Sequence, residues 1–203
     1  MDVQREPRGR LSPVPTTALL VMDVQNGIVG RVPDGADTLL AALGRATAAA
    51  RSRGLPVVYV RVAFRPGAAD VSPRNKAFST IAGSSPLLDD DPATQIHPAV
   101  SPAEQDVVVV KKRVSAFTGS DLEVVLRSLD ASSLVLTGIA TSGVVLSTLR
   151  QAADLDFRLT VLSDGCADAD PEVHRVLLEK VFPRQAEVVT TEEWMRSLDG
   201  PAG

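Results

Sequence analysis

Leu134–Leu155 reads LVLTGIATSGVVLSTLRQAADL, and how this stretch folds decides the fold of the chain. An apolar run ends at Gly138, a short segment of Thr, Ser and Gly follows, and apolar residues then recur at helical spacing. The pattern is that of a strand turning directly into a helix. In an open α/β sheet such a turn is where substrates bind and where nucleophiles are held. Val144 stands at the start of the helix, where a cysteine would be useful, and its methyl-tipped side chain can do no covalent chemistry.

Outward from this turn the alternation repeats. Upstream, Thr16–Met22 (TTALLVM) and Pro56–Phe64 (PVVYVRVAF) are short apolar runs suited to strands buried on both faces. Between them Ala36–Gly54 has helical spacing, with Gly54 placed to cap its end. Asp106–Lys112 (DVVVVKK) is a third strand, Ser120–Leu129 a helix opening on a Ser cap, and Ser133–Gly138 the fourth strand. Downstream, Arg158–Asp164 is a fifth strand, and Asp170–Phe182 a helix with Asp170 as N-cap and Pro171 at its first position. Residues 186–198 close the chain with a sixth short strand and a helix. Alternation at this spacing predicts an α/β fold, three-layer αβα, with a mostly parallel six-stranded sheet. Residues 65–105 lose all periodicity and carry prolines at 66, 73, 86, 92, 98 and 102, which predicts a long functional loop forming a lid or rim.

The bulk properties fit one such domain. The chain has 203 residues, 44% of them hydrophobic, and single α/β domains commonly reach about 200 residues. A net charge of −4 with both signs interspersed offers no basic patch for nucleic acid, and 3% aromatics offer no stacking platform. The single cysteine, Cys166, can build neither an intrachain disulfide nor a Cys-based zinc site, which fits a reducing cytoplasm. No apolar run approaches the roughly 18 residues of a membrane span. Residues 1–15 (MDVQREPRGRLSPVP) have charges and prolines but no apolar signal core, and are expected to form a flexible N-terminal arm ahead of a domain over 16–198.

Ligands collect at the carboxyl ends of parallel strands. That rule selects Asp23 after the first strand, Lys111 at the end of the third, and Gly138–Gly143 after the fourth. A carboxylate beside buried surface is costly unless it is paired or its pKa is raised; taken alone, an Asp after a strand is a cap or turn residue more often than a catalyst. Lys111 and Lys112 alternate, so only one of them can face a pocket, and a snorkelling lysine is the plainer reading of either. Gly138, Thr141, Ser142 and Gly143 release backbone N–H groups at a helix start, which suits a carboxylate or an oxyanion. No Gly-x-Gly-x-x-Gly follows the first strand and no P-loop is present, so no cofactor is expected. His97 and His174 are the only histidines and have no companion at ligand spacing, so no metal is expected. Cys166 reads as a small core residue.

ALLVMDVQNGIV, VVVVKKRVSAFTGSDLEVVLR and LVLTGIATSGVVLSTLRQAADLDFRLTVLSDGCAD, in that order, resemble the isochorismatase-like (cysteine hydrolase) superfamily over about residues 16 to 194. The resemblance implies a Rossmann-like fold and a catalytic pair, Asp23 and Lys111, the latter lying six residues before Phe117. In most such proteins a cysteine closes a Gly-x-x-Thr-x-x-Cys-Val-x-x-Thr motif. Gly138, Thr141, Val145 and Thr148 match that motif, and the cysteine position falls on Val144. The resemblance further implies a nucleophile-position and oxyanion loop of Ile139, Ala140, Gly143 and Val144, with a cis peptide between Ile139 and Ala140. Ile28, Phe64, Arg65 and Thr141 are the candidate substrate-binding positions, with Arg74 and Asn75 further along the loop.

The amidases of that superfamily pass through a thioester, which Val144 cannot form. True isochorismatases also lack the cysteine, because an enol ether is hydrolysed by delivering a proton to carbon, for which a carboxylic acid of raised pKa suffices. The expectation is therefore a hydrolase acting on a small carboxylated or enol-ether substrate through Asp23 and Lys111, without a covalent intermediate. The alternative is an inactive relative that binds a small molecule or a protein. The resemblance also implies a homodimer or higher homo-oligomer.

Overall fold

The computed structural model describes residues 16–32, 36–84 and 87–199; the expected arm, 1–15, lies outside the described residues. Strand β1 (Thr16–Met22) is buried from Ala18 onward and is flanked on both sides by parallel strands, which is why its sequence is a continuous apolar run rather than an alternating one. It is followed by a single helical turn α1 (Asn26–Val29), helix α2 (Ala36–Ser52) and strand β2 (Val57–Val62). After a long connection come β3 (Val107–Lys111), α4 (Leu122–Ser128) and β4 (Ala131–Ile139) once the connection's own helix, α3 (Lys76–Ser84), is counted. Helix α5 (Leu146–Asp154), β5 (Arg158–Ala167), α6 (Pro171–Val176), β6 (Glu187–Val189) and α7 (Thr191–Ser197) complete the chain.

All strand pairs are parallel and the order is β3-β2-β1-β4-β5-β6. The chain winds outward from β1 in one direction, returns, and winds outward from β4 in the other. The β1/β4 boundary is thus the switch point, where a crevice opens beyond the strand ends. Alternate residues of β1 feed two separate cores. Ala18, Leu20 and Met22 pack with Leu122 and Leu126 of α4 and Leu149 and Ala152 of α5. Leu19 and Val21 pack with Leu39, Leu43 and Ala46 of α2 and Trp194 of α7. This is the three-layer arrangement of helices on both faces of one sheet.

Several details differ from the sequence expectation. The segment 65–105 is not wholly irregular: α3 lies within it, and short 3-10 turns form at Pro66–Ala68, Pro92–Thr94 and Pro98–Val100. Pro66, Pro92 and Pro98 open those turns, because a fixed φ suits the first position of a helical turn. The helix after β4 begins with a wide π-type turn, Thr141–Val145, before α5 proper. Strand β5 continues beyond Asp164 and carries Cys166 within it. Asp121, rather than Ser120, is the N-cap residue of α4; the Ser120 hydroxyl instead donates to the Ala116 carbonyl at 2.6 Å. Asp170 does cap α6, accepting from the N–H groups of Glu172 and Val173. No helix of the described residues is long and apolar enough to cross a membrane.

Candidate active site

Asp23 follows β1 directly and is 5% exposed. Its backbone is left-handed (φ 57°), a conformation Asp tolerates better than most residues, and its N–H donates to the Val60 carbonyl at 2.8 Å. Two residues on, the buried Gln25 side chain donates to the carbonyls of Val62 and Thr94 and accepts from the Val62 N–H, pinning the post-β1 turn to β2. Lys111 ends β3 on the inward face, 2% exposed, and reaches across the end of β2. Its Nζ lies 2.8 Å from Asp23 Oδ2 and donates to the carbonyls of Arg113 at 3.0 Å and Val114 at 2.8 Å. Those acceptors use the three N–H bonds of an ammonium. Lys112 points to the other face and donates to the Ala63 carbonyl at 2.6 Å, as strand alternation requires.

Burial raises the Asp23 pKa to about 6, against the nearby Lys111 ammonium, which lowers it. Oδ2 is held by Lys111; Oδ1 is buried with no hydrogen-bond partner. A buried oxygen left unpaired costs free energy unless something else completes it. Asp23 is one of the residues that line a cavity of about 260 Å³.

The opposite side of that cavity is the turn after β4. Gly138 has φ +138°, and a Cβ on it would lie 2.1 Å from the Met22 carbonyl oxygen, so only glycine lets β4 end this close to β1. The Ile139–Ala140 peptide is cis. The Gly143 N–H donates to the Ala140 carbonyl at 3.0 Å and the Ser142 N–H to Asp168 Oδ2 at 2.7 Å. Both groups were expected to receive an anion, and both are instead consumed within the turn.

The structure brings Asp23, Lys111, Ile28, Ile139, Ala140, Gly143 and Val144 together around this cavity. Three expected substrate contacts are not in its lining. Phe64 is fully buried behind the wall, packed edge-to-face on Phe78 at 5.4 Å. Arg65 is exposed and paired with Asp70, facing a separate depression beside Val108 and Val110. The Thr141 hydroxyl is buried against His174 Nδ1 at 2.8 Å. Of the two further loop positions, Asn75 accepts from the Phe78 N–H at the start of α3, and Arg74 is exposed outside the lining. Sequence reasoning missed Phe78 and Ile81, which α3 contributes to the wall, and Arg31 at the cavity. Asn75, three residues before Phe78, was the available signal for that helix start. Among the described residues no group of three His, Cys, Asp or Glu side chains could hold a metal ion.

A profile of the Isochorismatase domain matches residues 17–193. The chain is 34% identical over 186 residues to the isochorismatase family protein YecD of Escherichia coli O157:H7, covering 90% of this chain and 96% of that one. It is 31% identical over 207 residues to the ureidoacrylate amidohydrolase RutB of Pseudomonas syringae pv. syringae, covering 90% and 81% respectively. The solved structure of an isochorismatase family protein from Burkholderia thailandensis superposes with a TM-score of 0.82 at 34% identity, over 92% of this chain and 97% of that one.

Proposed function

The chain belongs to the isochorismatase family of hydrolases, and from that premise we propose that it hydrolyses a small enol ether by acid catalysis from Asp23, with no covalent intermediate. The observation that carries this reading is the division of labour within one carboxyl group: Oδ2 is fixed by Lys111 while Oδ1 is buried and unpaired, in a residue that lines the cavity. With its pKa raised to about 6, the group still carries a proton in a useful fraction of molecules near neutral pH. Val144, 2% exposed in the same lining, leaves the thioester route closed.

The steps balance without a further reagent. The vinyl C=C pair takes the Oδ1 proton onto the terminal carbon, and an ether-oxygen lone pair makes the adjacent carbon an oxocarbenium ion. The Asp23 carboxylate so formed stabilises that cation and accepts a proton from the water that adds to it. The resulting hemiketal breaks its C–O bond, releasing an alcohol and a ketone. Lys111 acts as a positioning residue: its ammonium holds Oδ2 still and opposes the rise in pKa that burial alone would produce.

Val144 also favours a second reading, an inactive relative in which the pair persists as a buried ion pair and the cavity only binds. A panel of 2-ethoxyacrylate and an N-carbamoyl amide, offered to wild type, Asp23→Asn and Val144→Cys, separates the two. Turnover of the ether that disappears in Asp23→Asn supports acid catalysis. Amide turnover confined to Val144→Cys points to a former amidase, and silence throughout to the binding reading. A homo-oligomeric state and a reducing compartment belong to the same proposal; light scattering and the redox state of Cys166 in cells test them.

A further inference from the structure

We propose that Arg31 is the anion-recognition residue of the Asp23 cavity, so that the substrate is a small carboxylate docked by that end at Arg31 with its reacting end toward Asp23. The inference rests on reading this cavity as the substrate site, and does not depend on acid catalysis. Arg31 follows α1, its N–H bonded to the Ile28 carbonyl at 3.0 Å, and it contributes to the cavity lining. Its guanidinium is exposed and forms no hydrogen bond or ion pair with any described residue. Other arginines near the sheet's edges are committed: Arg51 to Asp106, Arg61 to Asp89 and Arg65 to Asp70.

Other donors near the cavity are already engaged. Lys111 has its three N–H bonds directed to Asp23, Arg113 and Val114. The Ser142 and Gly143 N–H groups are used inside their own turn. Most of the other lining is apolar, including Ile28, Val32, Phe78, Ile81 and Leu87. A ligand that satisfies this surface is one with an apolar body and a single charged end. A planar carboxylate matches the fork of one guanidinium, whereas a phosphate dianion would leave charge and acceptors unanswered in an apolar site. The cavity, about 260 Å³, lies just below the roughly 300 Å³ at which drug-sized pockets begin, which limits the body to a short chain or one ring.

The test is binding, measured where chemistry cannot proceed. In the Asp23→Asn protein, calorimetric titration with 2-ethoxyacrylate and with its neutral methyl ester should show the acid binding more tightly than the ester. Adding Arg31→Ala should weaken the acid by about ten- to a hundredfold, as for loss of one charge-assisted pair, with the ester unchanged and Arg31→Lys intermediate. Equal affinity for acid and ester, equal losses for both on Arg31→Ala, or no binding of either at millimolar concentration would overturn the proposal. Arg31-dependent binding without turnover in wild type would leave it standing and remove acid catalysis; Asp23-dependent turnover indifferent to Arg31 would do the reverse.

Discussion

Asp23 and Cys166 are buried to the same degree, each 5% exposed, and both sit toward the carboxyl ends of parallel strands, yet burial has opposite consequences for them. An apolar environment penalises the charged form of either group. For the carboxyl this raises a pKa of 3.8 to about 6, into the range where a proton can be given up at neutral pH. For the thiol it raises 9.0 to about 12, out of reach of the thiolate that a nucleophile requires. Asp23 also has a cation 2.8 Å away, while the Cys166 thiol donates to the Leu136 carbonyl, at 4.0 Å. The same physics that readies an acid disables a thiol. A site with valine at position 144 could support acid chemistry, and could not recruit Cys166 as a nucleophile.

Substitution tests that contrast in order of effect. Asp23→Asn should lower turnover of 2-ethoxyacrylate by about 10²- to 10⁴-fold, the usual contribution of a positioned acid, while Cys166→Ala leaves it unchanged. Comparable losses in both variants, measured by steady-state kinetics, would break the distinction. Lys111→Met should destabilise the fold by about 3 kcal/mol at pH 8, because an unpaired carboxylate and two carbonyls remain buried. The loss should shrink at pH 5, where Asp23 holds its proton; urea denaturation at both pH values measures it.

Asp23 also leaves a signature in stability. Its folded pKa is raised above the unfolded value, so its contribution is complete below about pH 4 and is lost as pH rises through about 6. The difference in unfolding free energy between wild type and Asp23→Asn should therefore move against wild type by roughly 2 to 3 kcal/mol between pH 4 and pH 7. The smallest expected effect is at Cys166, where alanine removes one buried sulfur and should cost about 1 kcal/mol without altering any pH profile.

The strand ends that build this contrast were legible in the sequence because they depend on local rules. A continuous apolar run stops at Met22 and a charged residue follows; four valines stop at Lys111; an apolar run reaches Gly138 and a Thr/Ser/Gly segment follows. What was not legible depends on which partner each side chain takes in the folded chain. Thr141 was read as a substrate contact, but its hydroxyl is taken by His174, 33 residues on. Arg65, a candidate from the irregular 65–105 segment, is instead paired with Asp70. Helix α3 is short, and its sequence, KAFSTIAGS, mixes apolar with small polar residues, so its period is lost among the flanking prolines. Arg31 gave no signal at all, since a guanidinium without a partner among the described residues is defined by what fails to pair with it.

The pH dependence of kcat/KM for 2-ethoxyacrylate, after subtraction of the solvent reaction, reports the free enzyme and so reads the working form of Asp23 directly. If Oδ1 delivers the proton, the rate is highest below about pH 6 and falls about tenfold per pH unit above it, and the limb vanishes in Asp23→Asn. A rate that rises through pH 6 would make the carboxylate the active form and contradict acid catalysis at this site.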